Sequence, residues 1–262
     1  MDIRAAGGYQ LRVLGLPAEV TACLFDLDGV LTRTASVHAA AWGEMFDEFL
    51  ATRSPPQPPF TPEDYDRYVD GRTRLDGTRG FLASRGITLP EGTPDDTPGA
   101  PTVNGLATRK NDLVLAKIEA GGVEVYEGSV AYVRAARAAR LAAAVVSSSA
   151  NAVAVLESAG ILELFDTVVD GTVVVELGLA GKPAPDMFLE GARRLGVGPE
   201  AAAVFEDSLA GVAAGKAGHF ARVVGVDRVG QADELLASGA DIVVRDLSEL
   251  AEADGRGREA TA

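Results

Sequence analysis

The 262-residue chain is 47% hydrophobic and 24% charged, a balance that fits a soluble globular protein of one large domain or two smaller ones. Its 24 basic and 38 acidic side chains leave a net charge of −14, which argues against a general binder of nucleic acid or anionic membrane. Cys23 is the only cysteine, so an intrachain disulfide is excluded. Residues 1–10 lack the apolar region of a signal peptide and no apolar run reaches membrane-spanning length, so the expected location is the cytoplasm.

Residues 9–20 read as a mixed leader, an extra strand or a strap over the core. The apolar run Cys23-Leu24-Phe25 then ends in Asp26-Leu27-Asp28-Gly29, the pattern of a buried strand that delivers two aspartates into a loop. Residues 35–50 place Val37, Ala41, Met45, Phe46 and Phe49 on one helix face. Two segments rich in proline and glycine, 53–62 and 90–101, read as surface loops around a shorter helical stretch, 62–86. Residues 104–120 are helical again, with Leu106, Leu113, Val114 and Ile118 inward and Gly121-Gly122 as the stop.

From residue 127 the rhythm changes. Helices over 127–140, 151–159, 185–195, 209–217 and 231–238 alternate with strands over 141–146, 167–169, 202–205, 221–226 and 241–244, and a hairpin-like stretch fills 170–181. Such alternation predicts an α/β fold, a doubly wound parallel sheet covered on both faces. The domain division expected is a core of residues 1–34 and 121–262 with a helical cap domain, residues 35–120, inserted after the first strand. Residues 252–262 are polar and read as a frayed end.

Two carboxylates on one loop cost free energy unless a cation or a shared proton relieves them. A hard divalent cation is the simplest relief, and Mg²⁺ is the usual one where a substrate brings phosphate. Ligands of an open parallel sheet gather at the carboxyl ends of its strands, so the residues that close each apolar run are the candidates for chemistry. The first run ends in Asp26 and Asp28, the run over 141–146 in Ser147-Ser148-Ser149, and the run over 202–205 in Glu206-Asp207; Lys182 precedes the helix leading to the last. Taken singly these residues have ordinary explanations: Lys182 as a solvated loop residue, the serines as a helix cap, His38 as exposed, Trp42 as packing between cap and core. Together they predict one pocket at one sheet edge, locally positive at Lys182.

The same residues resemble the haloacid dehalogenase-like phosphotransferases, through Asp26-Leu27-Asp28-Gly29-Val30, Ser147, Lys182 and Glu206-Asp207. Within that superfamily they are most similar to the β-phosphoglucomutase family, through Phe25 to Thr32, Thr34 and His38, Lys182-Pro183-Ala184-Pro185-Asp186-Met187-Phe188, and Glu206-Asp207-Ser208-Leu209-Ala210-Gly211. The likeness runs from about residue 21 to 226 and is weakest in the cap. It implies that Asp26 is a nucleophile forming an aspartyl-phosphate and that Asp28 serves as acid and base. One Mg²⁺ would be held by Asp26, the main-chain carbonyl of Asp28 and Asp207, with Glu206 close by. Ser147 and Lys182 would hold the transferring oxygens, Ser148 adding a backbone donor, and Thr34 and His38 would lie near the hinge.

In the cap, Gly71, Arg72 and Arg74 resemble a specificity loop, and Arg109-Lys110-Asn111 resembles a basic motif, so that Arg74 and Lys110 would grip a second phosphate. Two positions depart from the family pattern. Asp70 stands where a lysine is usual, with Arg72 as the candidate replacement, and Ala150 stands where another lysine is common. The implied activity is interconversion of β-glucose 1-phosphate and glucose 6-phosphate through a bisphosphate, with glucose 1,6-bisphosphate as activator. A monomer acting on a small phosphorylated sugar, without nucleic-acid or membrane partners, is expected. The alternatives are a sugar-phosphate or trehalose-phosphate phosphatase using the same site, and a catalytically silent relative.

Overall fold

The computed structural model describes residues 14–252; the expectations for residues 1–10, for 9–13 and for the frayed end beyond 252 lie outside them. Six strands, β1 (Ala22–Phe25), β2 (Ala142–Val146), β3 (Thr167–Val169), β4 (Ala202–Glu206), β5 (Arg222–Val226) and β6 (Ile242–Val244), form one sheet. Their order is β3-β2-β1-β4-β5-β6 and every neighbouring pair is parallel. All four residues of β1 are buried, which is why its sequence shows no polar alternation. Leu24 and Phe25 point to opposite faces: Phe25 joins Tyr132, Phe205 and Val224 in one apolar cluster, and Leu24 joins Val146, Phe188 and Val204 in the other.

Ten α-helices of five residues or more accompany the sheet among the described residues: α1 (Ala35–Ala51), α2 (Arg74–Ser84), α3 (Val103–Gly121), α4 (Glu127–Ala138), α5 (Ala152–Ser158), α6 (Gly171–Leu177), α7 (Asp186–Arg194), α8 (Leu209–Ala217), α9 (Ala232–Ser238) and α10 (Ser248–Glu252). The architecture is the predicted α/β sheet with helices on both faces. Helices α1, α2 and α3 bury a third apolar cluster of their own, in which Phe46 stacks on Trp42 and tilts against Phe81. Trp42 therefore packs within the insertion's own apolar cluster. No helix of the described residues is long and apolar enough to cross a membrane.

Two local expectations are corrected, and one pair of alternatives is decided. The hairpin-like stretch is helix α6: Asp170 accepts hydrogen bonds from the N–H groups of Thr172 and Val173, and Gly178, at φ 63°, ends the helix. The helical stretch 62–86 is broken into a turn at Pro62–Asp64, a π-helical turn at Tyr65–Val69 and α2, with Gly71 at φ 69° between the last two. Residues 14–20 form no strand; Leu14, Leu16 and Val20 are buried as a strap, and the Tyr132 hydroxyl donates to the Leu14 carbonyl at 2.8 Å.

Candidate active site

Strand register sets the site. Phe25 lies opposite Val145 on one side and Phe205 on the other, so β1, β2 and β4 end level and Asp26, Ser147 and Glu206-Asp207 emerge at one edge. The loop after β1 closes tightly, with Leu31 and Thr32 donating to the Leu27 carbonyl and Gly29 donating to Thr32. Gly29 has φ 92°, and a Cβ there would overlap the Asp207 carboxylate, so only glycine lets the two acidic loops approach this closely.

Lys182 is not solvated. Its side chain is wholly buried and its ammonium donates to Asp26 Oδ1 at 2.5 Å, Glu206 Oε1 at 2.6 Å and the Val146 carbonyl at 3.1 Å. The second Glu206 oxygen accepts from the backbone N–H and hydroxyl of Ser208, at 2.7 and 2.9 Å. Burial opposes the Lys182 charge, but Asp26 and Glu206 outweigh it and push its pKa up. Asp26 is pushed well above the carboxylate range by burial, with Lys182 opposing and Glu206 and Asp28 adding to the rise. Asp207 is pushed up as well, by burial and then by Asp70, Glu206 and Asp26.

This cluster fits a hard cation. Oxygens of Asp26, Glu206 and Asp207 lie within 4.8 Å of one another, all buried, and Lys182 alone cannot neutralise them. Oxygen donors of this number and charge suit Mg²⁺. The Asp28 side chain stays outside the cluster. Its Oδ1 accepts from the Thr34 hydroxyl and lies 3.5 Å from His38 Nε2, and its Oδ2 accepts from Ser147 at 3.4 Å.

The insertion closes over this edge. Ser148 donates its hydroxyl to the Gly71 carbonyl at 2.7 Å, tying the strand edge to the insertion. Asn151 donates to Asn111 Oδ1 at 3.0 Å, and Arg74 donates to the same oxygen at 2.6 Å. Lys110 lies 4.9 Å over the Trp42 ring and 3.0 Å from His38 Nδ1. Burial lowers its pKa to about 7, with Asp28 opposing and Arg74 assisting. Burial and Lys110 lower His38 to about 4, Asp28 opposing, so its ring is neutral at pH 7. With the proton on Nε2, facing Asp28, Nδ1 is free to accept from Lys110. Between sheet edge and insertion lies a cavity of about 380 Å³ lined by Asp26, Asp28, His38, Arg72, Arg74, Lys110, Ser147 and Asp207.

The family model of haloacid dehalogenase-like hydrolases matches residues 20–219. The chain belongs to that family. It is 54% identical over 247 residues to a β-phosphoglucomutase of Mycobacterium bovis, covering 91% of this chain and 94% of that one. A β-phosphoglucomutase of Bacillus subtilis is 32% identical over 233 residues, 87% of this chain and 91% of that one. The crystal structure of β-phosphoglucomutase from Clostridium difficile shares the fold, with a TM-score of 0.71 at 22% identity over 92% of this chain and 99% of that one. The chain is an enzyme, a haloacid dehalogenase-like phosphotransferase similar to the β-phosphoglucomutases.

In this enzyme every candidate site residue from the sequence except Arg109 lies at or directly behind the cavity. Thr34, Lys182 and Glu206 stand behind it, supporting Asp28 and Asp26, while Gly71, Arg72, Arg74 and Ser148 line it. Arg109 points away and pairs with Glu48 at 2.9 Å, so the basic motif splits between outer surface and site. Sequence reasoning gave no site role to Asn111, although it lies in the quoted basic motif, or to Asn151, which lies just past the serine run. It also left unassigned Asp70, whose carboxyl is raised to about 7 by burial and by Glu206.

Proposed function

We propose that the enzyme interconverts β-glucose 1-phosphate and glucose 6-phosphate, and that residues 35–120 act as a cap domain over a core of residues 1–34 and 121–262. The observation that carries the proposal is the separate fate of the two aspartates. One oxygen of Asp26 is held by Lys182 at 2.5 Å, which leaves the other to attack phosphorus and become the aspartyl-phosphate. Asp28 is held by Thr34 and Ser147, with a neutral His38 ring 3.5 Å away, surroundings suited to taking a proton from a sugar hydroxyl and returning it. When bound by Asp26, Asp207 and the main-chain carbonyl of Asp28, with Glu206 beside them, Mg²⁺ neutralises charge on the transferring phosphoryl group.

Ser147 would hold a transferring oxygen, and Arg74 and Lys110 the distal phosphate, with Arg72 supplying charge that Asp70 cannot. The bisphosphate formed in the first half of the cycle must turn round and present its other end, and glucose 1,6-bisphosphate would serve as activator. Water must be kept from the aspartyl-phosphate throughout, and the contacts Ser148–Gly71 and Asn151–Asn111 support such closure. The expected setting is a monomer in the cytoplasm acting on a small phosphorylated sugar.

The test is incubation with β-glucose 1-phosphate, Mg²⁺ and a trace of glucose 1,6-bisphosphate. Accumulation of glucose 6-phosphate is the expected result. Inorganic phosphate as the main product would make the enzyme a sugar-phosphate phosphatase, the outcome favoured by Asp70, whose carboxyl faces the site where the family usually has a cation.

A further inference from the structure

The loop between β5 and α9 touches no part of the cavity through Arg228 or Gln231, yet it reaches both acidic loops. Asp227 organises it, its Oδ1 accepting from the N–H groups of Val229, Gly230 and Gln231 at 3.2, 2.6 and 2.9 Å. Arg228 donates through Nε to the Gly29 carbonyl at 2.8 Å and through Nη2 to the Val30 carbonyl and Ser129 hydroxyl at 3.4 and 3.3 Å. Its Nη1 donates to the Arg245 carbonyl at 2.5 Å and to Asp246 at 3.4 Å. All five guanidinium N–H groups are thereby engaged, so Arg228 has no donor left for a ligand. Its Cζ lies 3.5 Å from the centre of the Tyr126 ring, and that of Arg33 lies 4.4 Å from the same point. Gln231 Nε2 donates to the Asp207 carbonyl at 3.1 Å.

These bonds act on the main chain where it matters. The Gly29 N–H donates to Thr32 at 2.8 Å while the Gly29 carbonyl is held by Arg228, so both peptides flanking Gly29 are pinned. The first of those planar peptides contains the Asp28 carbonyl, which cannot rotate independently of the Gly29 N–H. We infer that Arg228 and Gln231 are positioning residues: one short loop clamps the Asp28 and Asp207 loops by their backbone carbonyls and so sets the spacing of the cation site. The clamp rests on reading that site as one for Mg²⁺.

Arg228→Ala, Arg228→Lys and Gln231→Ala test it, with Mg²⁺ affinity measured by isothermal titration calorimetry beside thermal melting, kcat and KM. Loss of an outer support of a metal site costs roughly 10- to 100-fold in affinity. That weakening is expected in Arg228→Ala and Gln231→Ala, with kcat reduced and KM for β-glucose 1-phosphate, at saturating Mg²⁺, within about threefold of wild type. Arg228→Lys, which keeps charge but loses the fork and the stacking, should fall between. A merely structural arginine would lower the melting temperature and leave the Mg²⁺ affinity of the folded protein unchanged. Should Arg228→Ala not fold, Arg228→Lys and Gln231→Ala decide the matter. Mg²⁺ affinity within about twofold of wild type in both overturns the clamp. If the wild type converts no glucose phosphate, the proposed reaction fails while the titration still judges the clamp.

Discussion

Replacing Lys182 by methionine removes the charge at the centre of the site while filling most of its volume. The ammonium makes two bonds to carboxylates and one to the Val146 carbonyl. Charge-assisted bonds contribute about 1.5–3 kcal/mol each and the third about 1 kcal/mol. Methionine regains part of this through apolar contact with Phe188, which the ammonium faces at 4.9 Å. The net loss is then about 3–5 kcal/mol, the cost of leaving buried charges without their partner. For a chain of this size, at about 2–4 °C per kcal/mol, the melting temperature should fall by roughly 6–20 °C.

The loss should also depend on pH. A carboxyl whose folded pKa is raised binds more protons folded than unfolded, so stability falls as pH climbs from its unfolded value toward its folded one. Asp26 and Asp207 are raised from 3.8, and removing Lys182 takes away a group that lowers both. The lysine's own contribution is constant across this window, because its raised pKa releases stability only above 10.5. In metal-free buffer the gap between variant and wild type should therefore widen from about pH 5 to pH 8, and Mg²⁺ should recover part of it. Melting curves followed by circular dichroism, with chelator and with Mg²⁺, measure this. A fall below about 2 °C, or an equal fall at every pH, would refute the reasoning.

Asp28→Asn should lower kcat by about 10²- to 10⁴-fold, the range of general acid–base catalysis, and a steady-state assay showing a loss below about tenfold removes Asp28 from that role. Lys110→Met should act oppositely on stability and on binding. Below pH 7 the folded protein must carry a buried charged lysine, a penalty relieved as pH rises from about 7 to 10.5, where the folded side chain is neutral and the unfolded one still protonated. The variant should thus melt above wild type at pH 6 and lose that advantage by pH 10, while its KM for glucose phosphates rises at least about tenfold. Equal melting temperatures at pH 6 would show that the burial of Lys110 costs nothing.

Features with local causes were legible in the chain. A strand buried on both faces has no polar alternation, so Ala142–Val146 and Ala202–Glu206 stand out as apolar runs, and the serines and acids that close them mark the sheet edge. Local signals also misled where two of them competed. Val173-Val174-Val175 favour a strand by their branched side chains, but Asp170 and Gly178 at the two ends hold the segment as a helix. Lys182, next to a proline in a loop, carries no mark of burial; it is buried because Asp26, Val146 and Glu206 meet around it from three strands. Asn111 and Asn151 become partners only once the insertion folds back, and Arg228 reaches Gly29 across 199 positions of sequence. The order of residues thus determined which groups stand at strand ends, since hydrophobic pattern and turn chemistry act over a few neighbours. Which of those groups share a proton, a cation or a hydrogen bond was decided by distance in space, because electrostatic and hydrogen-bond energies depend on ångströms and not on sequence separation.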